Sequence, residues 1–186
     1  MKKRFLLTSF DIWLPNHKSN SSNDLLAEVT LVDSLPYALT WLPKLPVEVE
    51  SAARLVIAKI DETQPDYIIC CGMAESRLLL SVESNARSTA RSTISSTDYF
   101  PVDVGETKLS TIVNLEQLVE GTTALDISHD CGLFVCEGLY YSVLDYLLTH
   151  SINSPCIFVH VPILTEANLS VILEDFLLII HRLALS

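Results

Sequence analysis

Short apolar runs of strand length alternate along the chain with stretches whose apolar residues recur at helical spacing. Lys3 to Ser9 reads as a strand, and Ser22-Asn23-Asp24 offers N-caps for a short helix through about Leu31. Leu35 to Pro46 carries Pro36, Pro43 and Pro46, which predicts an extended, loop-like segment. Ala52, Leu55, Val56 and Ile60 share one helical face within Glu48 to Glu62, and Gln64-Pro65 ends that helix. Tyr67 to Cys71 is an uninterrupted apolar run closed by Gly72, the pattern of a central strand buried on both faces. Leu78 to Val82 is a further strand candidate, whereas Arg87 to Asp98 is Ser/Thr-rich, lacks periodicity and reads as an exposed loop. Asn114 is placed to cap a helix through Val119 that Gly121 terminates. Ala124 to Ile127 then reads as a strand, Leu133 to Thr149 as a helix, Pro155 to Val161 as a last strand, and Asn168 as the cap of a closing helix. This alternation predicts a three-layer α/β/α domain around a mixed, mostly parallel sheet.

Composition narrows the class. A chain of 186 residues, 49% hydrophobic and 19% charged, suits one domain over residues 1–186 with a full core. Its net charge of -11, with no Lys or Arg clustered into a phosphate-neutralising face, argues against nucleic acid, and the acidic balance argues equally against an anionic membrane surface. Phe5-Leu6-Leu7 after the basic start is too short for a secretory leader, because Thr8, Ser9 and Asp11 follow at once. The most apolar stretch, Leu169 to Leu185, is interrupted by Glu174, Asp175, His181 and Arg182, so no membrane span is expected. Five cysteines without framework spacing point to reduced thiols in a cytoplasmic protein.

Three segments carry candidate chemistry. In Cys131 to Tyr141, Cys136 falls near the start of a predicted helix, where free N–H groups and the dipole favour a thiolate and an oxyanion. Taken alone, a buried small thiol is the commoner state of such a cysteine. In Cys156 to Pro162, His160 closes an apolar strand just before a proline, where an imidazole can take a thiol proton and return it to a leaving amine. His17 and His150 sit in polar sequence, His181 in the last helix and His129 in a turn, so they are weaker candidates. Two acids compete to orient His160, namely Glu83 at the end of its strand and Glu75, and spacing alone does not choose between them. With 5 glycines and no phosphate-loop spacing, and no Cys/His pair to complement Cys131 and Cys136 at zinc spacing, neither a cofactor nor a metal is expected.

In order and spacing these segments resemble the type I pyroglutamyl-peptidase (pyrrolidone-carboxylate peptidase) family. The resemblance runs through Thr8 to Trp13, Leu45-Pro46-Val47, Pro65-Asp66, Gly72 to Arg77, Val82 to Ala86, Ser128 to Tyr141 and Phe158 to Pro162. It implies a Cys-His-Glu triad on an α/β/α sandwich that removes N-terminal 5-oxoproline from peptides. Cys136 would be the nucleophile, His160 the base and Glu83, rather than Glu75, its orienter. Phe10, Trp13, Phe134 and Val135 would line the lactam pocket, with Arg91 near the oxyanion. The resemblance also implies self-association, as a dimer or tetramer. Trp13, Cys131 and Glu137 stand where the family commonly has phenylalanine, alanine and asparagine. The alternatives are the same triad acting on another small acyl or amide substrate, and a catalytically silent binding module.

Overall fold

The computed structural model describes residues 2–15, 17–33, 35–88, 107–132 and 134–186. Its centre is a six-stranded sheet. In chain order the strands are β1 (Arg4–Phe10), β2 (Ala38–Leu45), β3 (Tyr67–Met73), β4 (Leu80–Glu83), β7 (Leu125–Ser128) and β8 (Cys156–Val161), and in space they run β2-β1-β3-β8-β4-β7. All neighbours pair in parallel except β4 with β8. A separate antiparallel pair joins β5 (Asn85–Arg87) to β6 (Lys108–Ser110).

The apolar runs of β1, β3 and β8 are buried because helices cover both faces of the sheet. Leu6, Ile68, Cys70 and Phe158 share one core with helices α2 (Val49–Thr63) and α4 (Val135–Thr149). Leu7, Ile69, Cys71 and Val159 belong to the opposite core with α1 (Ser21–Leu31), α3 (Leu115–Val119) and α5 (Leu169–Leu185). The expected three-layer α/β/α sandwich with a mixed, mostly parallel sheet is therefore the observed fold. Among the described residues no helix is long and apolar enough to cross a membrane, and all five cysteines are free.

The segment expected to be loop-like, Leu35 to Pro46, instead supplies β2 from Ala38 onward. Pro43, the proline that falls within it, is tolerated because β2 is an edge strand with one side unpaired. The register with β1 slips between Thr8 and Phe10, where Pro43 lacks an N–H and Lys44 adopts a φ of 53°. Cap positions also move slightly. Asn20, rather than Ser22 to Asp24, caps α1 by accepting from the Ser22 N–H. Asn168 does precede α5, but its carboxamide turns back to bond Thr165 N–H and Ile163 C=O and leaves the helix uncapped. Asn114 caps α3 as expected, and Gly121 follows it at a φ of 69°.

Buried Asp175 on α5 ties the back layer to the sheet, accepting from Thr123 N–H (3.0 Å) and Ala124 N–H (2.6 Å) just ahead of β7. Replacing it by alanine strands two amide donors. Asp175→Ala is expected to lose about 1–3 kcal/mol of stability, read as a lower urea midpoint.

Candidate active site

The carboxyl ends of parallel strands are where functional side chains gather in such sheets. Here β1 ends at Phe10, β3 at Met73 and β8 at Val161, and the three open onto a cleft of about 550 Å³. Registers place the reactive groups. Gly72 on β3 and Ser81 on β4 both lie opposite His160 on β8, while Cys70 and Glu83 lie opposite Phe158. Since side chains alternate along a strand, His160, Phe158 and Glu83 project from the same face, the one covered by α4.

His160 and Glu83 are both buried, and Nδ1 of the ring lies 2.7 Å from Glu83 Oε1. With a carboxylate as acceptor, the Nδ1 hydrogen is the one donated, and Nε2 keeps the lone pair a base needs. Glu83 is not held by His160 alone. Arg77 reaches Glu83 Oε1 at 2.9 Å while also donating to Ser128 Oγ and the Asp130 carbonyl. A wholly buried carboxylate thus gains a compensating cation, which its desolvation requires. The competing acid, Glu75, is instead paired with His17.

Cys136 sits in the first turn of α4, behind an N-cap residue, Phe134, that makes no side-chain capping bond. The leading N–H groups of the helix are therefore left for another acceptor. The sulfur lies directly over Gly72: a Cβ built there would come within 2.7 Å of Cys136 Sγ and 2.9 Å of Phe158 Cζ. Gly72 is thus an opening in the sheet surface, in register with His160, that admits the thiol. Burial pushes the Cys136 thiol up to about 12, and the Glu83 carboxylate adds to the rise against the pull of its own backbone N–H. Cys136 rests as a thiol.

Glu137, an acid beside the candidate nucleophile in sequence, is engaged by Arg87. Its Oε1 accepts from Arg87 Nε (2.9 Å) and Arg87 N–H (3.1 Å), binding β5 to α4, and Arg87 extends to Asp130 at 2.7 Å. Phe10, Trp13, Phe134 and Val135 line the cleft with Cys136 and His160. Phe10 is buried at its base. Trp13 is 50% and Phe134 70% exposed, and their rings meet tilted by 52° with centroids 6.1 Å apart. Arg91 lies outside the described residues, as does nearly all of the loop expected over residues 87–98.

Two participants were not anticipated from sequence. Arg77 was part of the recognised Gly72–Arg77 segment but carried no role, since one arginine in a loop gives no sign of which carboxylate it meets. Cys131, buried in the loop after β7, has its sulfur close to Glu83 and His160, with one donor atom of each of the three within 4.8 Å of the others. No local spacing could reveal a cluster assembled from positions 83, 131 and 160.

The sequence pattern of the family described as pyroglutamyl peptidase matches residues 3–174. This chain belongs to the pyroglutamyl peptidase family. It is 25% identical over 173 residues to pyrrolidone-carboxylate peptidase 1 of Caldanaerobacter subterraneus subsp. tengcongensis, covering 88% of this chain and 84% of that one. Pyrrolidone-carboxylate peptidase of Brevibacillus brevis is 27% identical over 175 residues, covering 88% and 80% respectively. The fold is similar to the crystal structure of pyroglutamyl peptidase I from Bacillus amyloliquefaciens, with a TM-score of 0.82 at 23% identity, covering 100% of this chain and 97% of that one.

Two expectations test this geometry within the pyroglutamyl peptidase fold. Gly72→Ala must displace either the Cys136 sulfur or the Phe158 ring, and is expected to cost about 1–3 kcal/mol in urea unfolding. A thiol raised to about 12 is almost wholly protonated at neutral pH, and its thiolate fraction grows about tenfold per pH unit below that value. Iodoacetamide labelling of Cys136, followed by peptide mapping, should therefore keep accelerating from about pH 7 to pH 10; a plateau below pH 8 contradicts a burial-dominated thiol.

Proposed function

We propose that this chain is a cysteine exopeptidase that hydrolyses the peptide bond after an N-terminal 5-oxoproline, with Cys136 as nucleophile, His160 as base and Glu83 as orienter. The observation that carries the reading is the buried His160–Glu83 pair at 2.7 Å, on the same cleft as a thiol in the first turn of α4. Membership of the pyroglutamyl peptidase family supplies the substrate class.

The chemistry follows from the groups present. The lactam ring is neutral and compact, suited to the aromatic cleft of Phe10, Trp13, Phe134 and Val135. A free N-terminus would have to leave its ammonium desolvated there, at a cost of several kcal/mol. His160 Nε2 takes the thiol proton as Cys136 sulfur bonds to the scissile carbonyl carbon, so charge develops at the sulfur only during attack. The carbonyl oxygen becomes an oxyanion facing the uncapped N–H groups of α4. Collapse breaks the C–N bond, and His160 returns the proton to the departing amine. A water molecule, deprotonated by the same imidazole, then splits the thioester, releasing 5-oxoproline and restoring the thiol.

Cys136 is favoured over Cys131 as nucleophile on two physical grounds. It alone of the two occupies a helix N-terminus, and burial with the nearby Glu83 charge raises the Cys131 thiol further still. Hydrolysis of a chromogenic pyroglutamyl amide tests the reading. Wild type is expected to turn over and Cys136→Ala to fall to background. Glu83→Gln, which keeps the shape but not the charge, should lower kcat/KM by on the order of 10²–10⁴. Equal turnover by wild type and Cys136→Ala eliminates the assigned nucleophile.

A further inference from the structure

The proposed reaction leaves Cys131 without a task, although this thiol stands in a buried polar cluster. Sulfur from Cys131, a ring nitrogen from His160 and a carboxylate oxygen from Glu83 are all within 4.8 Å of one another. All three residues are buried. A second observation concerns Glu83 itself: Oε1 is shared by His160 and Arg77, but Oε2 is buried and has no hydrogen-bond partner among the described residues. A fully desolvated carboxylate oxygen without a donor is a position where an ion or water belongs.

We propose that Glu83, Cys131 and His160 form a reversible binding site for a borderline-soft divalent cation, Zn²⁺ above all, and that its occupation switches the catalytic pair off. The donor set selects the metal class. One sulfur, one imidazole nitrogen and one carboxylate oxygen suit zinc, whereas magnesium and calcium take all-oxygen shells. Tetrahedral zinc holds such donors roughly 3.5 Å apart, so from separations within 4.8 Å the cluster has to contract by up to about 1.3 Å. Cys131 and His160 line the cleft, which gives the ion a path in and leaves a fourth position for water. On binding, the Cys131 thiol releases its proton to solvent and the sulfur coordinates as thiolate. Arg77, 2.9 Å from Glu83 Oε1, opposes the incoming charge and keeps the site exchangeable rather than permanently filled.

The consequence differs from that of a structural zinc. The metal would occupy the imidazole and carboxylate that the proposed reaction needs, so it would inhibit. Without the Cys131 sulfur only an imidazole and a carboxylate would remain, so the property rests on Cys131.

The site can be read without any peptidase substrate. Full-length protein stripped with EDTA and desalted is titrated with Co²⁺, a spectroscopic stand-in for zinc. One Co²⁺ per chain is expected, with a near-ultraviolet thiolate-to-cobalt charge-transfer band that one equivalent of Zn²⁺ abolishes. The band should vanish in both Cys131→Ala and Cys131→Ser, checked for folding by circular dichroism, and persist in Cys136→Ala. Zinc affinity should fall about 100-fold or more when Cys131 is lost. Absence of a stoichiometric band in wild type overturns the proposal, as does a band that survives Cys131→Ala and disappears in Cys136→Ala. Hydrolysis of the pyroglutamyl amide in EDTA reads the peptidase function separately, so either idea can fail alone.

Discussion

The contact between His160 and Glu83 spans the antiparallel pairing in the six-stranded sheet, and the site depends on that pairing. Glu83 closes β4 beside Phe158 and therefore projects on the face where His160 emerges, two residues further along β8. A slip of one residue in the β4–β8 register would turn the carboxylate into the opposite core, beside Val159, and push Val82 out of it. Burying a carboxylate at that point is costly, and the structure offsets it with two partners, the imidazole and the Arg77 guanidinium, on the same oxygen. Arg77 is in turn fixed by Ser128 at the end of β7 and by Asp130 in the turn that follows. Strand order, loop position and electrostatics thus converge on one bond.

Against that fixed pair the proposed nucleophile, Cys136, rests buried. Gly72 opens the sheet surface so that Cys136 can lie over it, and burial keeps the sulfur protonated. The acid next to it in sequence, Glu137, is diverted to Arg87, where it anchors the β5 segment. Charge near the sulfur is therefore set by Glu83, while the adjacent acid serves the scaffold. In the proposed reaction such a thiol gives up its proton to His160 as it attacks, rather than resting as an ion pair.

Much of this was legible in the sequence, for identifiable reasons. Continuous apolar runs such as Tyr67 to Cys71 mark strands covered on both faces, and the alternation of such runs with helical periodicity marks the three layers. His160 was visible because a strand-ending imidazole before Pro162 breaks an otherwise apolar pattern. β2 was not visible as a strand, since three prolines speak against pairing and only its edge position excuses Pro43. Glu83 and Glu75 were equivalent by spacing; what separates them is three-dimensional, because His17 meets Glu75 and the β4–β8 register brings Glu83 to His160. The clustering of Cys131 with both, and the reach of Arg77, arise from loops folding over strand ends, which leaves no periodic trace.

The central claim is that Cys136, rather than its neighbour Cys131, is the sulfur presented to a 5-oxoprolyl carbonyl. Affinity labelling with a 5-oxoprolyl chloromethyl ketone, followed by peptide mapping, tests it directly. One label per chain on Cys136, blocked by excess free 5-oxoproline and slowed in Glu83→Gln, is the expected result. Labelling of Cys131 in place of Cys136, or labelling that free 5-oxoproline does not block, would contradict it.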